Sequence, residues 1–233
     1  MNWTHLRAFP WLDTRAHFVA RAPKGGHLLD LGSSDGETLR HFAELRPDLN
    51  YFAVDIQSGL GEYPKGCDFK KLNVEQDKFP WSDGSMDAIT CMHLVEHLKD
   101  LAPLFAEASR LLKAGGRIYV ETPHPKSLVL QSAPGDMAGA FPMSFYDDAT
   151  HVRIVTTGIL AQHAKASGMQ VLCSGISRNW LFAAACPFLA FARPSRRSCT
   201  ARLHWIGWSA YFIAQKPIGS GENTNNPVAR SIP

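Results

Sequence analysis

The hydrophobic positions of the chain follow two alternating spacings. Short runs rich in apolar and β-branched residues predict strands at 27–31, 50–56, 67–72, 86–92, 117–122, 169–176 and 206–216. Apolar residues at helical spacing predict helices over 39–45 and 101–112, the second of which is expected to stop at a glycine cap that includes Gly115. A third helix is predicted to begin near Thr156 and to end at Gly168. This alternation predicts a doubly wound, mostly parallel α/β sheet of seven strands.

The same pattern suggests the organisation of the 233 residues. Residues 1–24 are predicted to form a helical lead-in that packs on a domain over 25–217. Two segments, 124–150 and 178–205, fall outside the regular alternation and are expected to be variable inserts. The tail, 218–233, has almost no apolar residues and is expected to be disordered.

Composition excludes several classes of protein. The net charge of +3 is too small to indicate nucleic-acid binding by itself. Five scattered cysteines without a C-x-x-C pair predict neither a disulfide framework nor a cysteine zinc site. No apolar run is long enough to span a bilayer, and the first residues do not resemble a signal peptide. These features predict a cytoplasmic protein.

Ligands of such sheets bind outside the carboxyl ends of the strands, and the residues there indicate a nucleoside. Gly32 and Gly36 form a loop between the first strand and its helix, and Asp55 ends the next strand. A carboxylate in that place can accept hydrogen bonds from both ribose hydroxyls. A dinucleotide fits poorly, because the third glycine of its fingerprint is absent and Asp35 would repel a pyrophosphate. A ligand with one carboxylate and a cation fits better.

Five segments in succession resemble the motifs of class I S-adenosylmethionine-dependent methyltransferases of the small-molecule type. The segments are LLDLGSSDG, FAVDI, LNVEQDKFPWSDGSMDAITCMHLVEHLKD, LLKAGGRIYVETP and DDATHVRIVTTGILAQHAKASGMQVL. The resemblance covers residues 25–177 and implies a Rossmann-like methyltransferase fold with S-adenosylmethionine as cofactor. Ser34 stands where the family has the middle glycine of its first motif.

The resemblance also implies roles for individual residues. Asp30 would face the amino group of the cofactor or support the loop, and Asp55 would hold the ribose. The residues expected to surround the methionine part are Gly32, Ser33, Ser34 and Gly36. The residues expected at adenine are Ile56, Asn73 and Val74, and those near the sulfonium are Cys91, Met92 and His93.

Four histidines follow strands or precede a helix at the same predicted edge, and one of them is expected to act as a general base. The order of preference is His97 and His151, then His93, then His124. The pattern H-x-x-E-H also matches an inverted zinc-protease signature, but its place at a strand end argues against that interpretation.

Binding of a divalent ion, without protease activity, is an alternative role for the same residues. His93, Glu96, His97 and His151 are similar to the metal-binding set of small-RNA 2′-O-methyltransferases. No metal site is predicted, because His93 replaces a carboxylate and so weakens binding of a hard ion. Glu96 and His97 can instead brace the floor of the site.

The expected function is methyl transfer from S-adenosylmethionine to oxygen of a small-molecule, glycan or lipid-linked acceptor. An RNA 2′-O-methyltransferase that uses a divalent metal and a non-catalytic cofactor-binding scaffold are the alternatives. The apolar, arginine-flanked segment 180–205 has three interpretations: a cap over an apolar pocket, a peripheral membrane contact or a homodimer contact. A nucleic-acid partner is disfavoured by the low net charge.

Overall fold

A computed structural model describes residues 3–57, 61–189 and 191–218 of the chain. The strands are β1 His27–Leu31, β2 Asn50–Asp55, β3 Asp68–Lys71, β4 Met86–Met92, β5 Leu112–Pro123, β6 Gln170–Ser177 and β7 Ser209–Gln215. The helices are α1 Thr14–Ala20, α2 Glu37–Leu45, α3 Ala102–Leu111, α4 Thr157–Ala166, α5 Trp180–Leu189 and α6 Arg196–Ile206. None of the helices within these residues is both long and apolar enough to cross a bilayer.

The seven strands form one sheet in the order β3-β2-β1-β4-β5-β7-β6. β7 runs antiparallel to both of its neighbours, whereas the other pairs are parallel. The strand order reverses between β1 and β4, so a crevice opens at their carboxyl ends. The predicted fold class, a doubly wound and mostly parallel sheet of Rossmann-like type, is confirmed.

The core lies on both faces of this sheet. Leu29 and Leu31 of β1 belong to one buried cluster, and Leu28 belongs to the cluster on the opposite face. A strand covered on both faces is expected to be an almost continuous apolar run, which explains the sequence HLLDL. The lead-in contributes Trp3 and Phe18 to the second cluster, so it packs against the sheet.

The predicted glycine cap of α3 is wrong. The helix ends at Leu111, and Leu112 already has extended backbone angles and pairs with Met86. Gly115 lies inside β5, where its φ of +79° fits an irregular stretch of strand beside a shift in register. Its amide donates to the carbonyl of Lys216, so the two chain segments pair where a helix end was expected.

The two inserts differ in structure. Residues 124–150 contain three short 3₁₀ turns, whereas the segment after β6 forms α5 and α6. β7 begins later than predicted, at Ser209, because α6 continues to Ile206 and ends on the left-handed Gly207. The predicted disordered tail lies outside the described residues, apart from the exposed Ile218.

Candidate active site

The loop after β1 contains three left-handed residues. Gly32, Ser34 and Gly36 have φ values of 71°, 48° and 75°. Ser34 therefore adopts the conformation that a glycine favours, which explains why the related motif has glycine there. A side chain at Gly36 is excluded, because its Cβ would lie 2.8 Å from the carbonyl oxygen of Glu62. The loop can hold its shape with serine in the middle, but not with a larger residue at Gly36.

Asp55 lies at the end of β2 and bonds to this loop. Its Oδ2 accepts the amide of Ser34 at 2.8 Å, and its Oδ1 accepts the amide of Gln57 at 2.9 Å. Each carboxylate oxygen keeps acceptor capacity for a further hydroxyl. Ile56 is 58% exposed beside it and offers an apolar surface to a flat ring. The pair fits a ribose next to a base.

Tyr63 is a loop contact that sequence reasoning missed. Its hydroxyl donates to the carbonyl of Ser34 at 2.7 Å and lies 3.1 Å from Oγ of Ser33. Both serines are thus fixed by one phenol. Tyr63 belongs to an irregular segment, where no periodicity or motif could have revealed it.

Asp30 is a buried carboxylate beneath the loop. Its Oδ1 accepts a hydrogen bond of 2.7 Å from the hydroxyl of Thr90 on the neighbouring strand. Burial and, to a smaller extent, the negative charge of Asp55 raise its pKa to about 7, although the hydrogen bond from Thr90 acts in the opposite direction. A cation that approaches Asp30 would therefore be stabilised strongly.

The remaining predicted cofactor residues have contacts of their own. Oδ1 of Asn73 accepts the amide of Glu75 at 3.0 Å, so it braces a turn and retains one lone pair. The side chains of Val74 and Cys91 are buried in one core cluster, and Met92 packs against the other. Their roles toward the cofactor stay predictions.

The glycine loop touches the segment that carries the histidines. A Cβ on Gly32 would lie 3.1 Å from the side chain of Leu94, and this close approach and the left-handed φ of 71° both favour glycine. His93, directly after β4, has a φ of 51° and donates its amide to the carbonyl of Glu121. The nucleoside crevice and the histidine segment therefore adjoin.

His93 lies between two buried carboxylates. Its Nδ1 is 3.2 Å from Glu96, and its Nε2 is 3.4 Å from Glu121. Burial alone would lower its pKa, but the hydrogen bonds to Glu121 and Glu96 outweigh it and raise the pKa to about 9. The raised pKa argues against His93 as the general base, because a cationic ring has no lone pair to offer.

His97 and His151 form a second group with Glu96. Each of the three offers a ligand atom within 4.8 Å of the others, and the two imidazole rings are 4.8 Å apart. Glu96 is fully buried, and its carbonyl accepts the amide of Val152, which ties the two segments together. The structure thus brings the two preferred histidines to one point.

Hydrogen bonds fix which nitrogen of each ring is free. Thr150 donates its only hydroxyl hydrogen to Asp148 at 2.5 Å, so it accepts one from Nδ1 of His97 at 2.9 Å. Nδ1 of His151 donates to the carbonyl of Phe145 at 2.6 Å. In the neutral form of each ring the lone pair is therefore on Nε2.

His124 has another role. Its Nδ1 accepts the amide of Lys126 and so caps the turn Pro125–Val129. Burial and the charge of Lys126 lower its pKa. Because its Nδ1 is occupied by this cap, His124 remains the last of the four histidines in the order of preference for a general base.

Two cavities lie near Trp208, and His93 lines one of them. An apolar cavity of about 440 Å³ is lined by both inserts, including Met143, Leu189 and Cys199. A polar cavity of about 190 Å³ is lined by His93, Glu121 and Trp208, among others. Trp208 bonds to the carbonyl of Met143 and packs on His93, so it connects the two walls. An acceptor with a polar and an apolar part has room here.

Comparisons with known proteins agree with this arrangement. A family model described as a methyltransferase domain matches residues 3–174. The ubiquinone biosynthesis O-methyltransferase of Thiobacillus denitrificans is 27% identical over 69% of either chain. The demethylmenaquinone methyltransferase of Roseiflexus castenholzii is 30% identical over 48% of this chain and 50% of its own.

A solved structure supports the fold. The S-adenosylmethionine-dependent methyltransferase of Mesorhizobium loti superposes with a TM-score of 0.59 at 18% identity, covering 90% of this chain and 97% of its own. The buried acid, the tight glycine loop and the carboxylate at the end of β2 fit the cation, methionine and ribose of that cofactor. The chain therefore belongs to the class I S-adenosylmethionine-dependent methyltransferases.

Proposed function

We propose that this enzyme methylates a hydroxyl oxygen of a small-molecule, glycan or lipid-linked acceptor that has an apolar part. One relative is named for O-methylation in ubiquinone biosynthesis and another for methylation of demethylmenaquinone. The apolar cavity of about 440 Å³ between the inserts supports an acceptor of this kind. A ring or chain buried there would place its polar end toward Trp208 and His93.

The observation that carries the proposal is the orientation of His97. The Asp148–Thr150–His97 chain of hydrogen bonds holds the ring by Nδ1 and leaves Nε2 as an acceptor. A hydroxyl acceptor must lose a proton during or after methylation, and a neutral imidazole suits that task. His151, held by the carbonyl of Phe145, is placed to share the proton or to orient the hydroxyl.

Binding and chemistry divide between two neighbouring regions. S-adenosylmethionine, when bound, supplies a methyl group on a positively charged sulfur. Asp55 and the amides around Ser34 would hold its nucleoside and methionine parts, and Asp30 would face its cation. Nε2 of His97 takes the acceptor proton, while the inserts exclude water and align the hydroxyl, which can lower the barrier by about 7–11 kcal/mol in favourable systems.

The test is transfer of a labelled methyl group to a panel of acceptors. A hydroxylated aromatic compound with an apolar side chain is expected to gain label on oxygen, as read by mass spectrometry. His97→Ala is expected to lower kcat by about 10²–10⁴-fold with an unchanged KM for the cofactor, because only proton removal is lost. His5→Ala is the matched control, since His5 is an exposed histidine of the first turn.

Equal rates for the wild type and His97→Ala would remove His97 as the base. Tight cofactor binding with no labelled acceptor in the panel or in fractionated cell extract would instead support the scaffold alternative.

The second candidate is metal-assisted transfer to an RNA 2′-hydroxyl, favoured by the proximity of Glu96, His97 and His151. Histidines that donate Nδ1–H to a carbonyl or a carboxylate-linked hydroxyl are also typical metal ligands. Activity that is lost with a chelator and restored by one divalent ion would assign these side chains to a metal. Label in RNA oligomers would then identify the acceptor class.

Location and partners follow from the same reasoning. All five cysteines are free thiols, which supports a reducing, cytoplasmic location. Segment 180–205 supports a contact outside the acceptor pocket, with a membrane surface or a second copy of the chain.

A further inference from the structure

The hairpin of α5 and α6 leaves its apolar side chains uncovered. α5 has no charged side chain, and its only polar groups are the indole N–H of Trp180 and the thiol of Cys186, yet only Ala183 of its ten residues is buried. Phe188 is 84% exposed, and Phe191, just beyond the helix, is 97% exposed. A helix that is apolar on all sides is normally buried, so we expect α5 to contact a partner that buries its exposed side chains.

The charge around the hairpin has one sign. Residues 149–221 contain eight Lys and Arg side chains and no Asp or Glu, whereas residues 1–148 contain 15 basic and 20 acidic side chains. Four exposed arginines follow α5 closely: Arg193, Arg196, Arg197 and Arg202. Arg196 has only a distant, exposed pair with Glu37 at 3.8 Å. The net charge of +3 is therefore distributed unevenly, and residues 149–221 form a strongly basic region.

Aromatic side chains precede basic ones at the hairpin tip, which we define as residues 188–197 without Ala190. Phe188 and Phe191 are followed within a few residues by Arg193, Arg196 and Arg197. Aromatic rings in the headgroup boundary and arginines on lipid phosphates are the typical pattern of proteins that lie on anionic membranes.

We propose that the hairpin tip docks on the surface of an anionic phospholipid bilayer. A second copy of the chain fits the tip poorly, because an isologous dimer would bring the arginines of both copies together, and the exposed pair of Arg196 with Glu37 offsets little of that repulsion. An anionic bilayer instead neutralises the arginines and covers both phenylalanines. Docking requires no methyl transfer and stands apart from the proposed reaction.

One consequence does rest on the proposed function. The apolar cavity lies on the inner side of the hairpin, where Cys186 and Leu189 of α5 face Met143 of the other insert. A docked tip would place this cavity near the bilayer, so an acceptor with a lipid-like part could enter it without crossing water.

The experiment is co-sedimentation of the full chain with vesicles of phosphatidylcholine or of phosphatidylcholine enriched in phosphatidylglycerol. The wild type is expected to bind the anionic vesicles at least about tenfold more strongly, with a loss at high salt. Phe188→Ser/Phe191→Ser and Arg193→Gln/Arg196→Gln/Arg197→Gln are each expected to lose about tenfold or more.

Matched controls separate the tip from the general surface. Lys65→Gln/Lys78→Gln removes two exposed charges, and Val129→Ser removes an exposed apolar side chain, both outside the hairpin. Both control variants are expected to bind vesicles like the wild type. All variants are also assayed with a water-soluble acceptor, so that loss of docking and loss of methyl transfer are seen separately.

Three outcomes would overturn the proposal. The first is no vesicle binding by the wild type, and the second is equal binding by the tip variants. The third is a concentration-dependent dimer that the tip substitutions abolish, which would assign the face to a second copy. Binding of RNA oligomers without binding of vesicles would assign the arginines to nucleic acid.

Discussion

Asp30 and Glu121 are two buried carboxylates at the same edge of the sheet, and their surroundings control their charges in opposite ways. Burial raises the pKa of Asp30 to about 7, because the hydrogen bond from the neutral hydroxyl of Thr90 offsets only part of the effect of burial. Burial acts on Glu121 in the same direction, but the hydrogen bond with His93 and the charge of Arg15 hold its pKa well below the usual range. Both carboxylates are buried, so the difference between their pKa values comes from the neighbouring charges.

The difference shows which of the two is prepared for a ligand. Glu121 already has its cations and also accepts hydroxyl hydrogens from Tyr119 and Ser177. Among the described residues, Asp30 accepts a side-chain hydrogen bond only from the hydroxyl of Thr90, and the charge that acts on it, that of Asp55, is negative. We therefore propose that Glu121 belongs to the framework of the site and that Asp30 faces the cation of the cofactor.

The largest effect is expected from Glu121→Gln, which removes the counter-charge of His93 and Arg15. We expect the free energy of unfolding to fall by about 2–4 kcal/mol at pH 7, because breaking a buried ion pair leaves charges uncompensated. Urea denaturation measures this loss. In a double-mutant cycle, His93→Gln should cost less in the Glu121→Gln background than in the wild type.

The matched control is Asp83→Asn, which breaks an ion pair with Arg110 at the surface. We expect no measurable change in its denaturation midpoint, since exposed pairs are screened by water. A similar loss of unfolding free energy in both variants would mean that the buried Glu121 network stabilises the protein no more than an exposed ion pair does.

Much of the difference between Asp30 and Glu121 could not be predicted from the sequence. The alternation of strands and helices predicted the sheet, and the rule for strand ends brought Gly32 and Asp55 together. The charge of His93 was missed because its partner Glu121 is distant in sequence and adjoins it only through the pairing of β4 with β5. α5 was missed because a run of apolar residues without a polar face has no periodicity to read.

An intermediate effect is expected from Asp30→Asn, and it depends on pH. A carboxyl whose pKa is raised from 3.8 to about 7 contributes stability in its protonated form, and that stability is lost as the pH rises through 7. Asp30→Asn should therefore be no less stable than the wild type at pH 8. Its affinity for S-adenosylmethionine should fall by about 10–100-fold there, because the cation loses a buried counter-charge.

Calorimetric titration at several pH values measures this linkage. The affinity of the wild type should rise by up to about tenfold per pH unit below 7 and level off above it, whereas Asp30→Asn should show no such rise. A wild-type affinity that does not change between pH 5.5 and 8 would place the cation of the cofactor elsewhere.

The smallest effect is expected from Thr90→Val, which tests whether the hydroxyl tunes Asp30. Thr90 donates to Oδ1 of Asp30 at 2.7 Å and so favours the ionised carboxylate. Valine has nearly the same shape without the donor, so the pKa of Asp30 should rise further and cofactor affinity at pH 7 should fall by about threefold to fivefold. The two proteins should converge toward pH 9, where Asp30 is ionised in both. Thr90→Ser keeps the hydroxyl and should behave like the wild type, and an affinity loss that stays constant across the pH range would indicate altered packing instead of altered ionisation.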